Sequence, residues 1–254
     1  MEKYSVLELM ACVAGRMLED KKSVLVGTGL PIVAAMFAQR LHAPGLLIIF
    51  EAGGVGARVP ALPISVGDSR TFYKASAATS MHDVMSLLQA GFADFGFLGA
   101  AQIDCYGNIN TTVIGPYRKP KVRLPGSGGA NDVGSLCQKT IIIMRQDKTK
   151  FVQKLDFLTT PGYLTGSGAR EKAGLPDSSG PYRVVTQLGV YGFNLKTKKM
   201  ELAALHPGVT LAEIQSSSQF EILMPETIEE TQPPTKKELE ILRKIDPLGI
   251  SLGK

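Results

Sequence analysis

The sequence predicts an α/β fold in which an open, mainly parallel sheet is flanked by helices. Short apolar runs typical of buried strands alternate with segments that carry apolar residues at helical spacing. Glycine-rich turns follow several of the runs, and this alternation favours a parallel sheet. With 254 residues, 44% of them hydrophobic, the chain can bury a sizeable core.

Each predicted element follows from local pattern. The strands share short apolar runs bounded by turn residues, at 23–26, 46–50, 93–98, 139–144, 183–186, 190–195, 199–205 and 220–223. The helices share a helical apolar period, at 1–20, 31–42, 80–92, 210–214 and 235–246. No linker separates independent parts. We therefore expect a single domain over residues 1–254, with the C-terminal helix packed on it.

Composition and charge exclude several classes of protein. The formal net charge is +5, but we find no continuous basic stripe of the kind that binds nucleic acid. A modest positive excess suits a phosphorylated small ligand. No apolar stretch reaches the roughly 18 to 20 residues of a membrane helix. Three widely spaced cysteines predict free thiols and a cytoplasmic protein, and the three histidines lack metal-ligand spacing, which predicts no metal site.

The most informative position is Glu51. It directly follows the apolar run Leu46–Phe50 and precedes Gly53, Gly54 and Gly56. Ligands of open α/β sheets bind at the carboxyl ends of strands, where glycines let the backbone approach closely. A strand-end glutamate bonded to a neighbouring loop is the alternative.

The opening of the chain also resembles a dinucleotide-binding unit. A strand, the glycine turn Gly27-Thr28-Gly29, a helix and a second strand ending in an acid follow one another. The full fingerprint requires a third glycine where Ile32 stands, so the close helix-to-strand packing of that motif lacks its residue. Nicotinamide binding remains a minor alternative.

A second glycine-rich loop covers Pro125–Asp132. A nucleophile elbow around Ser127 would need glycine at Pro125, and no phosphate-loop pattern is present. Successive glycine amides can point N–H groups at an anion or a developing oxyanion. A plain flexible loop is the other interpretation.

Several segments, taken in order, resemble the β subunit of glutaconate-type (family I) CoA-transferases. These segments are Val26–Pro31, Ile48–Gly53, Gly99–Thr112, Gly126–Asn131, Tyr163–Gly174 and Leu205–Gly208. They cover most of the chain. Each motif alone is weakly specific, and the ordered set identifies the family.

The resemblance implies the family I fold and an enzyme that is active together with an α subunit. It places the nucleophile at Glu51, which would form a covalent glutamyl-CoA thioester while CoA moves from an acyl-CoA to an acceptor carboxylate. Gly128 and Gly129 are candidates for oxyanion stabilisation, and Gln102, Asn131 and Gly53 for substrate orientation. Coenzyme A thioesters would be substrates, with no permanently bound cofactor.

Some features depart from the family pattern. Ala52 stands where Ser or Asn is common, Ala100 where a second glycine is usual, and Cys105 where the family has proline. The segments 205–210 and 234–247 also look like relatives that hydrolyse cyclic acyl-CoA ketones. An acyl-CoA hydrolase or ring-opening hydrolase of the same family is therefore the main alternative, and a catalytically silent partner chain is a further one.

Overall fold

A computed structural model of the chain describes residues 3–253. The strands are β1 (Ser23–Val26), β2 (Leu47–Phe50), β3 (Gly54–Val55), β4 (Ala77–Ala78), β5 (Phe95–Leu98), β6 (Gln102–Ile103), β7 (Ile109–Asn110), β8 (Val113–Ile114), β9 (Val122–Arg123), β10 (Lys139–Ile143), β11 (Pro181–Val185), β12 (Gly189–Phe193), β13 (Met200–Leu205) and β14 (Glu229–Glu230). The helices are α1 (Val6–Arg16), α2 (Leu30–Leu41), α3 (Met81–Gln89), α4 (Ala130–Leu136), α5 (Ala169–Lys172), α6 (Leu211–Ser216) and α7 (Lys236–Ile245).

The chain divides into two compact units. The first comprises Met1–Phe97 and Gln232–Lys254, and the second comprises Leu98–Thr231. The single-domain assignment over residues 1–254 stays a prediction. None of the helices in the described part of the chain is both long and apolar enough to cross a membrane.

In the first unit the strand order is β5-β1-β2-β3-β4. β1 pairs in parallel with both β2 and β5, whereas the two-residue strands β3 and β4 extend the edge in antiparallel fashion. The register aligns Val26 with Phe50. The glycine turn after β1 and the Glu51 turn after β2 therefore leave the sheet at the same end, because parallel strands share one carboxyl edge.

Within the first unit, ion pairs from Arg16 and Glu8 hold the C-terminal helix to α1. α7 packs against α1 and α2. Arg16 of α1 donates from Nε and Nη2 to the two oxygens of Glu238 at 2.8 and 2.7 Å, and Arg243 donates from Nε to Glu8 at 2.8 Å. Burial disfavours the charged form of Glu238, but hydrogen bonds from Arg16 and Thr235 outweigh it and lower the pKa of that carboxyl to about 2.

This pair predicts a pH-dependent loss of stability. Because the folded pKa of Glu238 lies below the ordinary value of 4.5, its stabilisation is complete above about pH 5 and is lost as the pH falls towards 2. Glu238→Gln should lower the free energy of unfolding at pH 7 by about 1–3 kcal/mol and flatten its slope between pH 5 and 2. Denaturant titrations at several pH values measure both, with the exposed Glu240→Gln as control. Equal slopes for the two variants would contradict the assignment.

In the second unit the strand order is β14-β13-β12-β11-β10. β10 and β11 are parallel, whereas β11, β12 and β13 form an antiparallel meander. Its core includes Phe151, which stacks on Phe220 with ring centroids 5.8 Å apart. His206 is buried and lies within hydrogen-bond distance of Thr186 O and Thr231 Oγ1, and burial lowers its pKa. This histidine has a structural role.

The fold class is confirmed, with a mixed pairing pattern that the sequence did not indicate. The antiparallel meander reflects the short turns between the strands, which cannot hold a parallel crossover. The predicted strand at Phe220–Leu223 is wrong. Leu223 makes one isolated bridge with Glu201, and a two-residue strand, β14, pairs with β13 instead. Burial of Phe220 and Ile222 explains the apolar pattern without a strand.

Candidate functional site

Glu51 lies in the turn that begins where β2 ends. The turn is closed by a hydrogen bond from the Gly53 N–H to the Phe50 carbonyl at 2.9 Å. The glutamate is half-buried, and its carboxylate forms no hydrogen bond or ion pair with the residues at 3–253. The structural alternative, an acid bonded to a neighbouring loop, is therefore not observed. The carboxylate is available for a ligand.

The glycines after Glu51 are needed for close backbone approach. Gly53 has φ +119°, and a Cβ there would lie 2.0 Å from the Thr79 carbonyl oxygen. A Cβ on Gly54 would lie 2.2 Å from the Thr71 carbonyl oxygen. The Gly53 N–H already donates to Phe50, so it shapes the turn and does not donate to the Glu51 carboxylate. Its role in substrate orientation stays a prediction.

In the second unit, Gln102 belongs to a network of buried amides. Its Nε2 donates to Asp156 at 2.9 Å, and its Oε1 accepts from the amides of Asn110 and Asp156 at 2.8 and 3.1 Å. Gln102 is 5% exposed and Asn110 is fully buried. These hydrogen bonds hold Gln102 within the protein. Its predicted contact with substrate would have to use the N–H that remains on Nε2.

The same network extends through Thr159 to Asn131. Asn110 Oδ1 accepts from the Thr112 N–H at 2.9 Å, and the hydroxyls of Thr112 and Thr159 are 2.7 Å apart. Asn131 donates from Nδ2 to the Thr159 carbonyl at 3.1 Å. The chain of contacts links two of the predicted orienting residues, Gln102 and Asn131, through residues that the sequence did not single out.

The second glycine-rich loop leads into α4. Gly128 is exposed with φ +47°, and Gly129 is the N-cap residue of the helix. Neither the Gly128 N–H nor the Gly129 N–H has a hydrogen-bond acceptor among the residues with described positions. Two neighbouring amide donors are thus free for an oxyanion. Of the predicted loop Pro125–Asp132, the residues up to Gly129 lie outside a helix, whereas Asn131 lies in the first turn of α4.

The cysteines offer no competing nucleophile. The three thiols, Cys12, Cys105 and Cys137, are free, as predicted. Burial raises the pKa of Cys12 and of Cys137 to about 12, and that of Cys105 is raised by the same cause. Thiols with raised pKa values stay protonated near neutral pH and react poorly. Among residues 3–253, no group of His, Cys, Asp and Glu side chains is arranged to hold a metal ion.

Comparison with known proteins decides the family. The family model described as "Coenzyme A transferase" matches residues 8–217. The chain belongs to the coenzyme A transferase family. The B subunit of the 3-oxoadipate CoA-transferase of Pseudomonas knackmussii is 39% identical over 247 residues, which cover 97% of this chain and 95% of the relative.

Two further relatives, a transferase and a hydrolase, show which activities occur among proteins similar to this chain. The B subunit of the glutaconate CoA-transferase of Acidaminococcus fermentans is 36% identical and covers 96% of this chain and 93% of the relative. The crystal structure of glutaconate coenzyme A-transferase from that organism superposes with a TM-score of 0.93 over 98% of both chains, at 35% identity. The cholesterol ring-cleaving hydrolase IpdB subunit of Mycobacterium tuberculosis is 27% identical, covering 96% of this chain and 95% of the relative.

The predicted site residues of this CoA-transferase family member fall into two sets. Glu51 and Gly53 lie in the first unit, whereas Gln102, Gly128, Gly129 and Asn131 lie in the second. Sequence reasoning missed Asn110 and Thr159. Asn110 lies in a polar segment whose composition favours turns. Thr159 has no local signal, because its partners Asn131, Thr112 and Thr111 lie 28, 47 and 48 residues away.

Thr159 is expected to stabilise the second unit. Its hydroxyl accepts from the Thr111 N–H at 2.9 Å and contacts the Thr112 hydroxyl. Thr159→Val keeps the shape but leaves both partners unsatisfied, so the free energy of unfolding should fall by about 1–3 kcal/mol. Thr165→Val is the matched control, because the exposed Thr165 hydroxyl bonds no residue with a described position. Equal denaturation midpoints for the two variants would refute this role.

Proposed function

We propose that this chain is the β subunit of a CoA-transferase that moves CoA from an acyl-CoA to an acceptor carboxylate, with Glu51 as nucleophile. One observation carries the proposal: a half-buried strand-end carboxylate with no partner in the described chain. Similarity to two CoA-transferase B subunits over nearly the whole chain supports it. A carboxylate without a structural partner is free to attack.

The chemistry proceeds by exchange of thioesters. A Glu51 oxygen attacks the acyl-CoA carbonyl carbon, and the C–S bond breaks to leave a mixed anhydride and CoA thiolate. The thiolate attacks the Glu51 carbonyl, which releases the first acid and forms the glutamyl-CoA thioester. The acceptor carboxylate reverses these steps and restores Glu51. A carboxylate nucleophile conserves the thioester, whereas hydroxide would destroy it, and the covalent intermediate divides one hard step into easier ones.

The Gly128 and Gly129 N–H groups are the proposed oxyanion donors. Each attack places negative charge on a carbonyl oxygen, and the two amides have no acceptor within the described chain. In other enzymes, removing one such donor costs about 2.7–4 kcal/mol of transition-state stabilisation. Gln102 and Asn131 are the proposed substrate-orienting residues. The acyl-CoA and the acceptor acid are the small-molecule partners.

An α subunit is the proposed protein partner. The curated relatives are described as B subunits, which implies a second type of chain in each enzyme. We expect the activity to require both chains, and the cytoplasm stays the predicted location. The CoA esters of glutaconate and 3-oxoadipate are the first substrates to test, since those acids occur in the relatives' names.

Hydrolysis is the second candidate function. Its support is the similarity to the cholesterol ring-cleaving hydrolase over nearly the whole chain. In acyl-CoA hydrolysis water, rather than an acceptor carboxylate, would receive the acyl group, whereas in ring-opening hydrolysis water would add across a bond of the ring. Nicotinamide binding has weaker support, because Ile32 still stands where the fingerprint requires glycine.

Borohydride trapping tests the proposal. The chain, assembled with its α subunit, is incubated with glutaconyl-CoA or 3-oxoadipyl-CoA and then with sodium borohydride, which reduces a glutamyl thioester to an alcohol. Peptide mass spectrometry should find Glu51 with one oxygen lost and two hydrogens gained, together with loss of activity. Omission of the acyl-CoA is the control. Unmodified Glu51 with released acid would favour hydrolysis, and a reduced residue on the α chain would move the nucleophile there.

A further inference from the structure

The strands β8 and β9 form a hairpin that pairs with no other strand in the described chain. Its loop and second strand contain four cations, Arg118, Lys119, Lys121 and Arg123, all of them exposed. The segment between Asp104 and Asp132 contains no carboxylate side chain. Since the whole chain has a formal net charge of +5, this hairpin holds a large part of the positive excess.

These cations are not neutralised within the described structure. None of the four forms an ion pair with a residue that the structure describes. Asp156, in the adjoining segment, accepts a hydrogen bond from Gln102 instead. Like charges close together on one hairpin repel each other, and a bound anion would offset that repulsion.

Side-chain packing and a hydrogen bond also restrain the hairpin. The Arg123 guanidinium lies 5.0 Å from the centre of the Tyr117 ring, and that ring stacks on Phe157 with centroids 5.4 Å apart. Arg123 also donates to the Tyr117 carbonyl at 3.2 Å. Pro116 and Pro120 restrict the loop backbone. A loop that is already restrained loses less conformational entropy when its cations bind a ligand.

The base of the hairpin joins the glycine-rich loop. The Leu124 N–H donates to the Thr112 carbonyl at 3.0 Å, and the Gly126 N–H donates to the Thr111 carbonyl at 2.9 Å. The free amides of Gly128 and Gly129 follow directly. At about 3.3 Å per extended residue, the hairpin tip lies on the order of 15 Å from Thr112. That length is comparable to an extended pantetheine arm.

We infer that this basic hairpin binds the phosphate groups of coenzyme A. The inference rests on the proposed function and deepens it. The thioester end of CoA would lie at the glycine-rich loop, and its 3′-phosphate and diphosphate would meet Arg118, Lys119 and Lys121 near the tip. Lysine and arginine are the usual partners of phosphate groups.

Direct binding to the assembled αβ enzyme tests the inference without requiring turnover. The ligands are CoA, dephospho-CoA, which lacks the 3′-phosphate, and inorganic phosphate, each titrated by calorimetry. Lys119→Ser/Lys121→Ser should weaken CoA binding roughly fivefold to tenfold, because two exposed charge contacts are lost. The wild-type preference for CoA over dephospho-CoA should shrink, and added salt should weaken the variant less than the wild type. Inorganic phosphate should compete with CoA in the wild type more strongly than in the variant.

The control removes the same charge elsewhere. Lys236→Ser/Lys237→Ser changes two exposed lysines of α7 and should leave the affinity for CoA unaltered. Lys119→Arg/Lys121→Arg should restore binding. Equal CoA affinity in the wild type and the hairpin variant would overturn the inference, as would weaker assembly of the two chains with unchanged CoA binding, which would assign the hairpin to the protein partner.

The two proposals fail separately. An enzyme whose Glu51 resists borohydride trapping, but whose CoA affinity depends on Lys119 and Lys121, would refute the transfer mechanism and keep the hairpin as a phosphate site. A trapped Glu51 with unchanged CoA affinity in the hairpin variant would do the reverse.

Discussion

Glu51→Gln is expected to reduce kcat for CoA transfer by at least about 10³-fold, because the amide cannot serve as the attacking carboxylate. The αβ assembly and its affinity for CoA should persist, since the Glu51 side chain bonds nothing in the described structure. Steady-state transfer rates with saturating acyl-CoA and acceptor measure the loss.

Glu51→Asp refines this test. Shortening the side chain by one methylene withdraws the nucleophile by about 1 Å, a displacement that can cost about 10²-fold in rate. Transfer should fall sharply, and hydrolysis of the acyl-CoA should fall less, because water is small enough to occupy the space. Glu226→Gln, at an exposed glutamate, is the matched control. Transfer at the wild-type rate in Glu51→Gln would reject Glu51 as the nucleophile.

Gly53→Ala is expected to lower the free energy of unfolding by about 1–3 kcal/mol. The new Cβ would lie 2.0 Å from the Thr79 carbonyl oxygen, and φ at this position is +119°. Backbone must shift to relieve the contact, so the turn that holds Glu51 is distorted. Denaturant unfolding, followed by circular dichroism, measures the stability, and transfer should be impaired even in the folded fraction.

Gly27→Ala is the control for Gly53→Ala. An added Cβ at Gly27 meets nothing within 4 Å. Its unfolding free energy should stay within about 0.5 kcal/mol of the wild type. If Gly53→Ala and Gly27→Ala proved equally stable, the close approach of Gly53 to Thr79 would not be needed for this turn.

Several elements could be predicted because their signals are local. The strand before Glu51 is an apolar run ended by glycines, and β2 ends at Phe50 as expected. Ser80 and Thr210 cap α3 and α6 through capping boxes, in which the cap side chain accepts from the backbone N–H three residues later and the acid at that position accepts from the backbone N–H of the cap residue. The apolar stripe of the C-terminal helix, Leu239, Leu242 and Ile245, is buried.

The hydrogen-bond network around Thr159 could not be predicted in the same way. Its distant segments are joined by contacts between residues 28 to 54 positions apart, for which neither periodicity nor composition carries a signal. The basic hairpin shows a related difficulty. Its charges are readable in the sequence, but their lack of ionic partners depends on which acids the fold brings near.

The order of residues alone determined where the strands of four or more residues and five of the described helices form, and which glutamate ends a buried strand, because hydrophobic period, caps and glycine turns act over a few neighbours. The folded structure decided which polar groups, in side chains or in the backbone, are left without hydrogen-bond partners. The Glu51 carboxylate and the Gly128 and Gly129 amides are unpaired within the described chain, whereas Gln102 is engaged within the protein. Availability for chemistry depends on contacts between distant segments, and those contacts exist only once the chain is packed.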